Sequence, residues 1–386
     1  MPEVVDAVKI TAIIAHRNEL PANVARTVQG LKRHGIPVDL IEDVPLPMGC
    51  GWRRHQGIMR AKTEGIFLCD AHMQFDEGYF DHLARALEAN PRAVTVSRMQ
   101  SIDGAWRDIQ GQLYAAAQTH LKVEAPGGQY WPMAARWRHE DAGGEYQVSA
   151  VMGACYGMTQ DHYIDMGQPL AVLRAWGQDE EILSAASWIR GGECRLISGL
   201  ARHIYGAPKA RPTSLSKSDV VKIWANRVAV LNALPIPAEE QRDLVEWVKR
   251  THAVQSYRDE INAEIQTRRQ DISRVREALE GGIGWASYCK RWVNLPTDQA
   301  KHEERQAKMA KADKRRKKGA KTGPVPKAPE QKKAEAVTDY GIPCNHCGHR
   351  YGHKVTNTYP NGRRRRVCGA CNMPFVTFQV EPLQDQ

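Results

Sequence analysis

Through the first hundred residues, apolar runs alternate with amphipathic stretches. Ile10 to Ala15, Pro37 to Asp43, Gly65 to Asp70 and Ala93 to Ser97 read as strands. Between them, Ala22 to His34, Arg53 to Thr63 and Glu77 to Ala89 carry apolar residues at helical spacing. Strict alternation of this kind predicts parallel β-α-β units, an α/β sheet covered by helices on both faces, and ligands at the carboxyl ends of the strands. Residues 100–150 lose the periodicity and are rich in Gly, Trp and Arg, as in a long excursion over the sheet. The apolar spacing turns helical again from Gln178 to Arg190, and Glu193 to Ser198 is strand-like. Two or three long amphipathic helices are predicted from Ser216 to Leu279. Residues 299–338 are rich in Lys, Ala, Glu and Pro with almost no apolar content, the composition of a linker. The layout expected is a main domain at 1–212, a helical extension at 213–298, the basic linker at 299–338 and a small C-terminal module at 339–386.

Charge sharpens this layout. The 386 residues carry a net charge of +10, and residues 301–386 hold 19 Lys and Arg against 8 Asp and Glu, so the body is close to neutral and the tail is basic. A compact cationic block favours a polyanionic partner, nucleic acid first, because each Lys or Arg that neutralises a phosphate releases a condensed counterion. The alternative is a solvated linker that keeps the chain soluble. No apolar run approaches the ~18 residues of a membrane span, so no membrane partner is expected. The first residues, MPEVVDAVKITAIIAHRNE, include acids and lack both a basic start and a small-residue cleavage site, which favours a cytoplasmic protein.

The nine cysteines do not form a disulfide framework. Cys50, Cys69, Cys155, Cys194 and Cys289 are scattered and read as small buried apolar residues. Cys344-x-x-Cys347 and Cys368-x-x-Cys371, twenty residues apart, have the spacing of a structural four-cysteine zinc ribbon, in which two turns complete a tetrahedron with Zn–S bonds of about 2.3 Å. His346 and His349 are spectators, since four thiolates fill the shell. Between the pairs, Tyr359-Pro360-Asn361-Gly362 reads as a hairpin turn, and Arg363, Arg364, Arg365 and Arg366 follow as a cationic edge suited to phosphates and bases. The competing reading is a module that binds another protein.

Asp70-Ala71-His72 follows the apolar run Ile66-Phe67-Leu68-Cys69, which puts a carboxylate and an imidazole at a strand's carboxyl end. In an extended chain, i and i+2 point the same way, and the pair suits a divalent ion such as Mn²⁺ or Mg²⁺ that also takes diphosphate oxygens. No third glycine follows Gly49-Cys50-Gly51, and no G-x-x-x-x-G-K-[ST] occurs, which argues against a dehydrogenase or an ATPase.

The segments ITAIIAHRNE (Ile10 to Glu19), RHQG (Arg54 to Gly57) and FLCDAH (Phe67 to His72) follow one another as in a GT-A type glycosyltransferase. The chain resembles the large family-2 group and, with D-x-H in place of D-x-D, the polypeptide N-acetylgalactosaminyltransferases. Met152 to Gly157 with Asp161 to Gly167 resembles that group's Gly-rich strand and following helix, and Trp176-Gly177-Gln178-Asp179-Glu180 resembles its W-G-G-E segment. The likeness covers roughly residues 8–206 and implies a GT-A fold and a UDP-sugar donor. It implies a third metal ligand at His203 beside Asp70 and His72, after a strand. It also implies nucleoside contacts from Asp43 and Glu19, donor-site positions at Ala15 and Arg17, and Arg54 near the diphosphate. Asp179 or Glu180 would face the sugar or accept the acceptor's proton. The departure of Gln178-Asp179 from the family's Gly-Glu bears on donor choice and on that carboxylate's role. Trp176 is expected to be a packing anchor.

Together these features predict a metal-dependent glycosyltransferase that sugars a hydroxymethylpyrimidine in DNA, of the kind bacteriophages use, working in the host cytoplasm. Its target base would be flipped out or single-stranded, with residues 104–139 gripping the strand. The rivals are a transferase acting on protein or RNA with the ribbon as recruiter, a transposon-type nuclease, and a non-catalytic DNA-binding protein. Against the nuclease, the first strand holds no Asp, and Glu381 and Asp385 are the only acids after Cys371.

Overall fold

The computed structural model describes residues 8–43, 48–125, 129–138, 143–205 and 215–293, together with three strands at 354–358, 363–367 and 374–378. The chain divides into two compact units, Met1–Met309 and Ala310–Gln386.

In the first unit the amino-terminal elements are β1 (Ile10–His16), α1 (Pro21–Arg33), β2 (Val38–Glu42), α2 (Cys50–Arg60), β3 (Gly65–Cys69), β4 (Met73–Phe75), α3 (Tyr79–Ala89) and β5 (Ala93–Ile102). The excursion that follows is not featureless. It forms β6 (Asp108–Tyr114), the hairpin β7 (Ala116–Ala125) and β8 (Gln129–Arg138), and the short β9 (Tyr146–Gln147). The chain then returns through β10 (Cys155–Thr159), α4 (Gln160–Asp165), a 3-10 turn at Pro169–Val172, α5 (Asp179–Ile189) and β11 (Glu193–Ile204). Helices α6 (Lys217–Ala233), α7 (Ala238–Lys249), α8 (His252–Ser256), α9 (Arg258–Gln266), α10 (Arg269–Glu280) and α11 (Trp285–Trp292) complete the unit. The stretch read as two or three long helices is thus broken into shorter ones, first at Pro235 and Pro237, which cannot continue α6.

The main sheet has the order β2-β1-β3-β10-β5-β11-β4, with β6 on β5 and β9 on β11. Strands β2, β1 and β3 pair in parallel, as do β5 and β11. Strand β10 runs antiparallel between β3 and β5, and β4 antiparallel beside β11, so the sheet is mostly rather than wholly parallel. The reason is topological. Strand β10 enters at the carboxyl end of β3, where Cys155 lies opposite Cys69, and must run backwards to bring Thr159 opposite Gly65.

Every residue of β3 and β10 is buried, so the sheet's centre is apolar on both faces. Buried Thr27 of α1 donates its hydroxyl to the Met73 carbonyl and accepts from the Met73 amide, which fixes β4. The α6 N-terminus carries a capping box of Ser216 and Asp219. No helix among the described residues is long and apolar enough to cross a membrane.

In the second unit β12 (Lys354–Thr358), β13 (Arg363–Val367) and β14 (Pro374–Phe378) form an antiparallel sheet in that order. Arg363 to Arg366 therefore lie on its central strand, flanked on both sides, and not on an edge. Cys344, Cys347, Cys368 and Cys371, the turn at 359–362, the linker 299–338 and the boundary at 212/213 lie outside the described residues.

Candidate active site

Strand β3 ends at Cys69, and the Asp70 amide donates to the Ala154 carbonyl at 2.7 Å just before β10. Residues 70–72 then bend into β4, so Asp70 and His72 are not an extended pair. Their third companion arrives by strand pairing. Strand β4 runs against β11 with Met73 opposite His203, and the Ile204 amide donates to the His72 carbonyl. His203 therefore lies inside β11, where Glu193–Ile204 outruns the Glu193 to Ser198 read from the sequence. One ligand atom each from Asp70, His72 and His203 falls within 4.8 Å of the others. The two imidazole centroids are 4.7 Å apart, and His203 Nε2 is 3.2 Å from Asp70 Oδ2.

Arg54 of α2 is 2% exposed and reaches under this group. It donates to Asp70 Oδ1 at 2.8 Å, to Asp179 Oδ2 at 2.5 Å and to the Tyr156 hydroxyl at 2.9 Å. Burial alone pushes Asp70 up, but the His203 hydrogen bond, the Arg54 charge and both imidazoles overcome it and hold the carboxyl well below the usual carboxylate range. Arg54 thus supports the acid corner from behind and does not line the cavity that Asp70 faces.

That cavity, about 240 Å³, is lined by Ala15, Arg17, Glu19, Asp43, Asp70, Ala71 and His72, all from loops at the carboxyl ends of parallel strands or from strand ends themselves. It unites most residues that the sequence assigns to a donor site. Glu19 Oε2 lies 3.3 Å from His72 Nδ1 and Arg17 pairs with Asp219 at 3.3 Å. Asp43 is occupied structurally: its two oxygens accept the Met48 and Gly49 amides at 2.8 and 3.0 Å, and Arg53 Nε donates to it at 3.0 Å.

The sequence missed the remaining walls, which are His16, Gly49 and Cys50, a strap holding Ala175 and Trp176, and Leu215, Asp219 and Ile223. Asp219 and Ile223 stand one turn apart on α6, and Leu215 precedes its N-cap Ser216. Trp176 is 70% exposed at the rim, so it is no packing anchor. Ala175 and Gln178 have left-handed backbones (φ 54° and 76°), a cost of about 1–2 kcal/mol each that the surrounding bonds must offset. Gly49 (φ 98°) is the strap's seat, where a Cβ would meet the Ala175 nitrogen at 2.0 Å.

Asp179 and Glu180, at the first turn of α5, do not line the cavity. Asp179 accepts from Arg54 and from the Tyr156 hydroxyl, the latter at 2.8 Å. Glu180 turns away toward β8, where its Oε2 accepts the Trp137 indole N–H at 3.1 Å. Burial, reinforced by repulsion from Glu181 and Asp179, pushes the Glu180 carboxyl well above its ordinary range. Cys69, Cys155 and Cys194 are fully buried as expected, while Cys50 and Cys289 are half-buried.

No family model matches the chain. Over 156 residues, 39% of the chain, it is 23% identical to the putative polypeptide N-acetylgalactosaminyltransferase 13 of Drosophila melanogaster, and the match spans 26% of that protein. Among solved structures it overlays on GalNAc-T7 with UDP, GalNAc and Mn2+ at a TM-score of 0.54 and 14% identity, covering 77% of this chain and 58% of that one. The overlap with S. aureus TarS 1–349 in complex with UDP-GlcNAc is looser, with a TM-score of 0.37 at 10% identity over 70% of this chain and 90% of the other. The chain thus spans about a quarter of the curated relative's length and a little over half of GalNAc-T7's. The GalNAc-T7 overlay gives the main sheet and its helices a GT-A fold.

Proposed function

We propose that this chain is a divalent-metal-dependent glycosyltransferase that takes its sugar from a UDP-linked donor. The observation that carries the reading is the convergence of Asp70, His72 and His203, of which Asp70 and His72 line the cavity at the strands' carboxyl ends. One carboxylate and two imidazoles fit Mn²⁺ and leave coordination positions for diphosphate oxygens. When bound there, the ion would neutralise charge on the leaving diphosphate. The chain's own groups prepare that site: Arg54 and His203 keep Asp70 ionised, and Glu19 orients His72. Ala15, Arg17, Glu19 and Asp43 form the nucleotide side of the cavity. The family resemblance assigns the sugar side to Asp179, which Arg54 and Tyr156 hold outside the cavity's lining.

For the acceptor we propose a hydroxymethylated pyrimidine in DNA, as in phage genome hypermodification in a host cytoplasm. The basic tail, the zinc-ribbon spacing of Cys344, Cys347, Cys368 and Cys371, and the four arginines of β13 support this reading. A protein acceptor is the second reading, favoured by the similarity to a polypeptide N-acetylgalactosaminyltransferase. The test is mass spectrometry of nucleosides from hydroxymethylated DNA incubated with the protein, Mn²⁺ and a panel of UDP-sugars. A hexose or N-acetylhexosamine mass shift is expected, and deleting residues 339–386 should weaken DNA use more than donor hydrolysis. Metal-dependent donor hydrolysis without a DNA shift would move the acceptor to protein; neither signal would sink the transferase reading.

A further inference from the structure

The strap that carries Ala175 and Trp176 into the cavity is bonded along both of its edges. On one side the Ala175 amide donates to the Met48 carbonyl at 2.9 Å, and the Cys50 amide donates to the Ala175 carbonyl at 3.0 Å. On the other stands Asn226, a fully buried amide of α6. Its Oδ1 accepts the Arg174 amide at 2.8 Å, while its Nδ2 faces the carbonyls of Arg174, Trp176 and Gly177 at 2.5, 3.3 and 3.2 Å. The side chain of Arg268, fully buried on the loop between α9 and α10, donates to Asn226 Oδ1 at 2.6 Å and to the Val172 carbonyl at 3.0 Å. Two donors at one end of the amide and three carbonyls at the other fix its orientation.

We propose that Asn226, backed by Arg268, is a positioning residue that clamps residues 174–177 and thereby sets the affinity of the cavity for a nucleoside diphosphate. The proposal rests on the donor-site reading above. Its physical basis is that Ala175, Gly177 and the following Gln178 hold left-handed backbones, a shape that a short segment keeps only when its surroundings over-determine it. The same α6 supplies Asp219 and Ile223 to the cavity wall two turns and one turn earlier, so one rigid helix both lines the cavity and hooks the strap. The helices that the sequence sets apart as an extension would then be part of the donor site.

The test uses the full chain and two readouts: hydrogen exchange of the amides of 174–177, and calorimetric binding of UDP with Mn²⁺. Asn226→Ala should speed exchange at Arg174 and Ala175 by about tenfold or more while β1 and β3 stay protected, and weaken UDP by about tenfold. If that variant folds poorly, Asn226→Asp keeps the oxygen that Arg174 and Arg268 donate to and sets an acceptor oxygen in place of the N–H donors, against the three strap carbonyls, and the same local pattern is expected. Unchanged strap exchange, a loosened strap with unchanged UDP affinity, or equal loosening of β1 and β3 in both variants would each overturn the proposal. A wild-type chain that binds no UDP with Mn²⁺ defeats the donor reading and, with it, the link to affinity; local loosening would then still establish the clamp itself.

Discussion

Acids on two sides of the turn that leads into β10 have their pKa values pushed in opposite directions. On one side Asp70 bonds to the Ala154 carbonyl through its amide and faces Arg54, His72 and His203, which hold it ionised. On the other, Glu180 accepts the Trp137 indole N–H, and Glu181 accepts the Ala135 amide at 3.0 Å. Burial pushes Glu180 well up and Glu181 to about 7, in spite of the Ala135 hydrogen bond and the Arg227 charge. Asp179 shares Arg54 with Asp70. One buried guanidinium therefore holds Asp70 and Asp179 together, while Glu180 and Glu181, next in the same helical turn, bond toward β8.

The largest expected effect tests the ionised side. Asp70→Ala should lower metal-dependent hydrolysis of a UDP-sugar by about three orders of magnitude or more, the scale of losing several kcal/mol of charge stabilisation. A variant that retains most of the wild-type rate would show that the corner is structural. Next is the guanidinium itself: Arg54→Met leaves Asp70 and Asp179 without their shared counter-charge and should cost about 3–5 kcal/mol in urea unfolding. A loss below about 1 kcal/mol would mean that the acids do not depend on it. Glu19→Gln keeps the shape beside His72 and should weaken Mn²⁺ by about 10- to 100-fold, read by titration of the metal alone. The smallest effect belongs to the packing side. Because Glu181 titrates at about 7 when folded against an ordinary 4.5, its contribution to stability is full below 4.5 and is lost as pH rises through 7. Glu181→Gln should therefore flatten the fall of Tm across that window by a few degrees, and an unchanged slope would remove Glu181 from the account.

The alternation of β1, β2, β3 and β5 with α1 to α3 was legible because each of these strands is an apolar run bounded by an amphipathic helix, whereas the three-residue β4, which follows β3 with no helix between, was not. Strands β6 to β9 were not. Much of β6 is exposed and carries no buried face to read, and β7 with β8 pairs apart from the main sheet. Asp70 and His72 could be found at the end of an apolar run, whereas His203 stands 133 residues from Asp70 and meets it through β4–β11 pairing. Only the resemblance to a family pointed to it. Arg54 was recognisable as a site residue but expected at the diphosphate, whereas it lies beneath the acids, because burial of a charged side chain is a tertiary fact. Asn226 gave no signal, since a lone polar residue on a helix buried over most of its surface looks like tolerance rather than purpose.

Along β11 the register against β5 passes from Ile197↔Ser97 to Leu200↔Arg98, leaving Ser198 and Gly199 as a bulge, with Gly199 at φ 105°. This makes the gene far less forgiving of length changes there than elsewhere. A single codon lost or gained between the bulge and His203 would invert which side of the sheet the imidazole faces, while a pair would shift it along the strand yet keep its side. Homologues that vary in length should therefore do so upstream of the bulge or beyond Tyr205, and a library of insertions across β11 should show survival alternating with the parity of the insert.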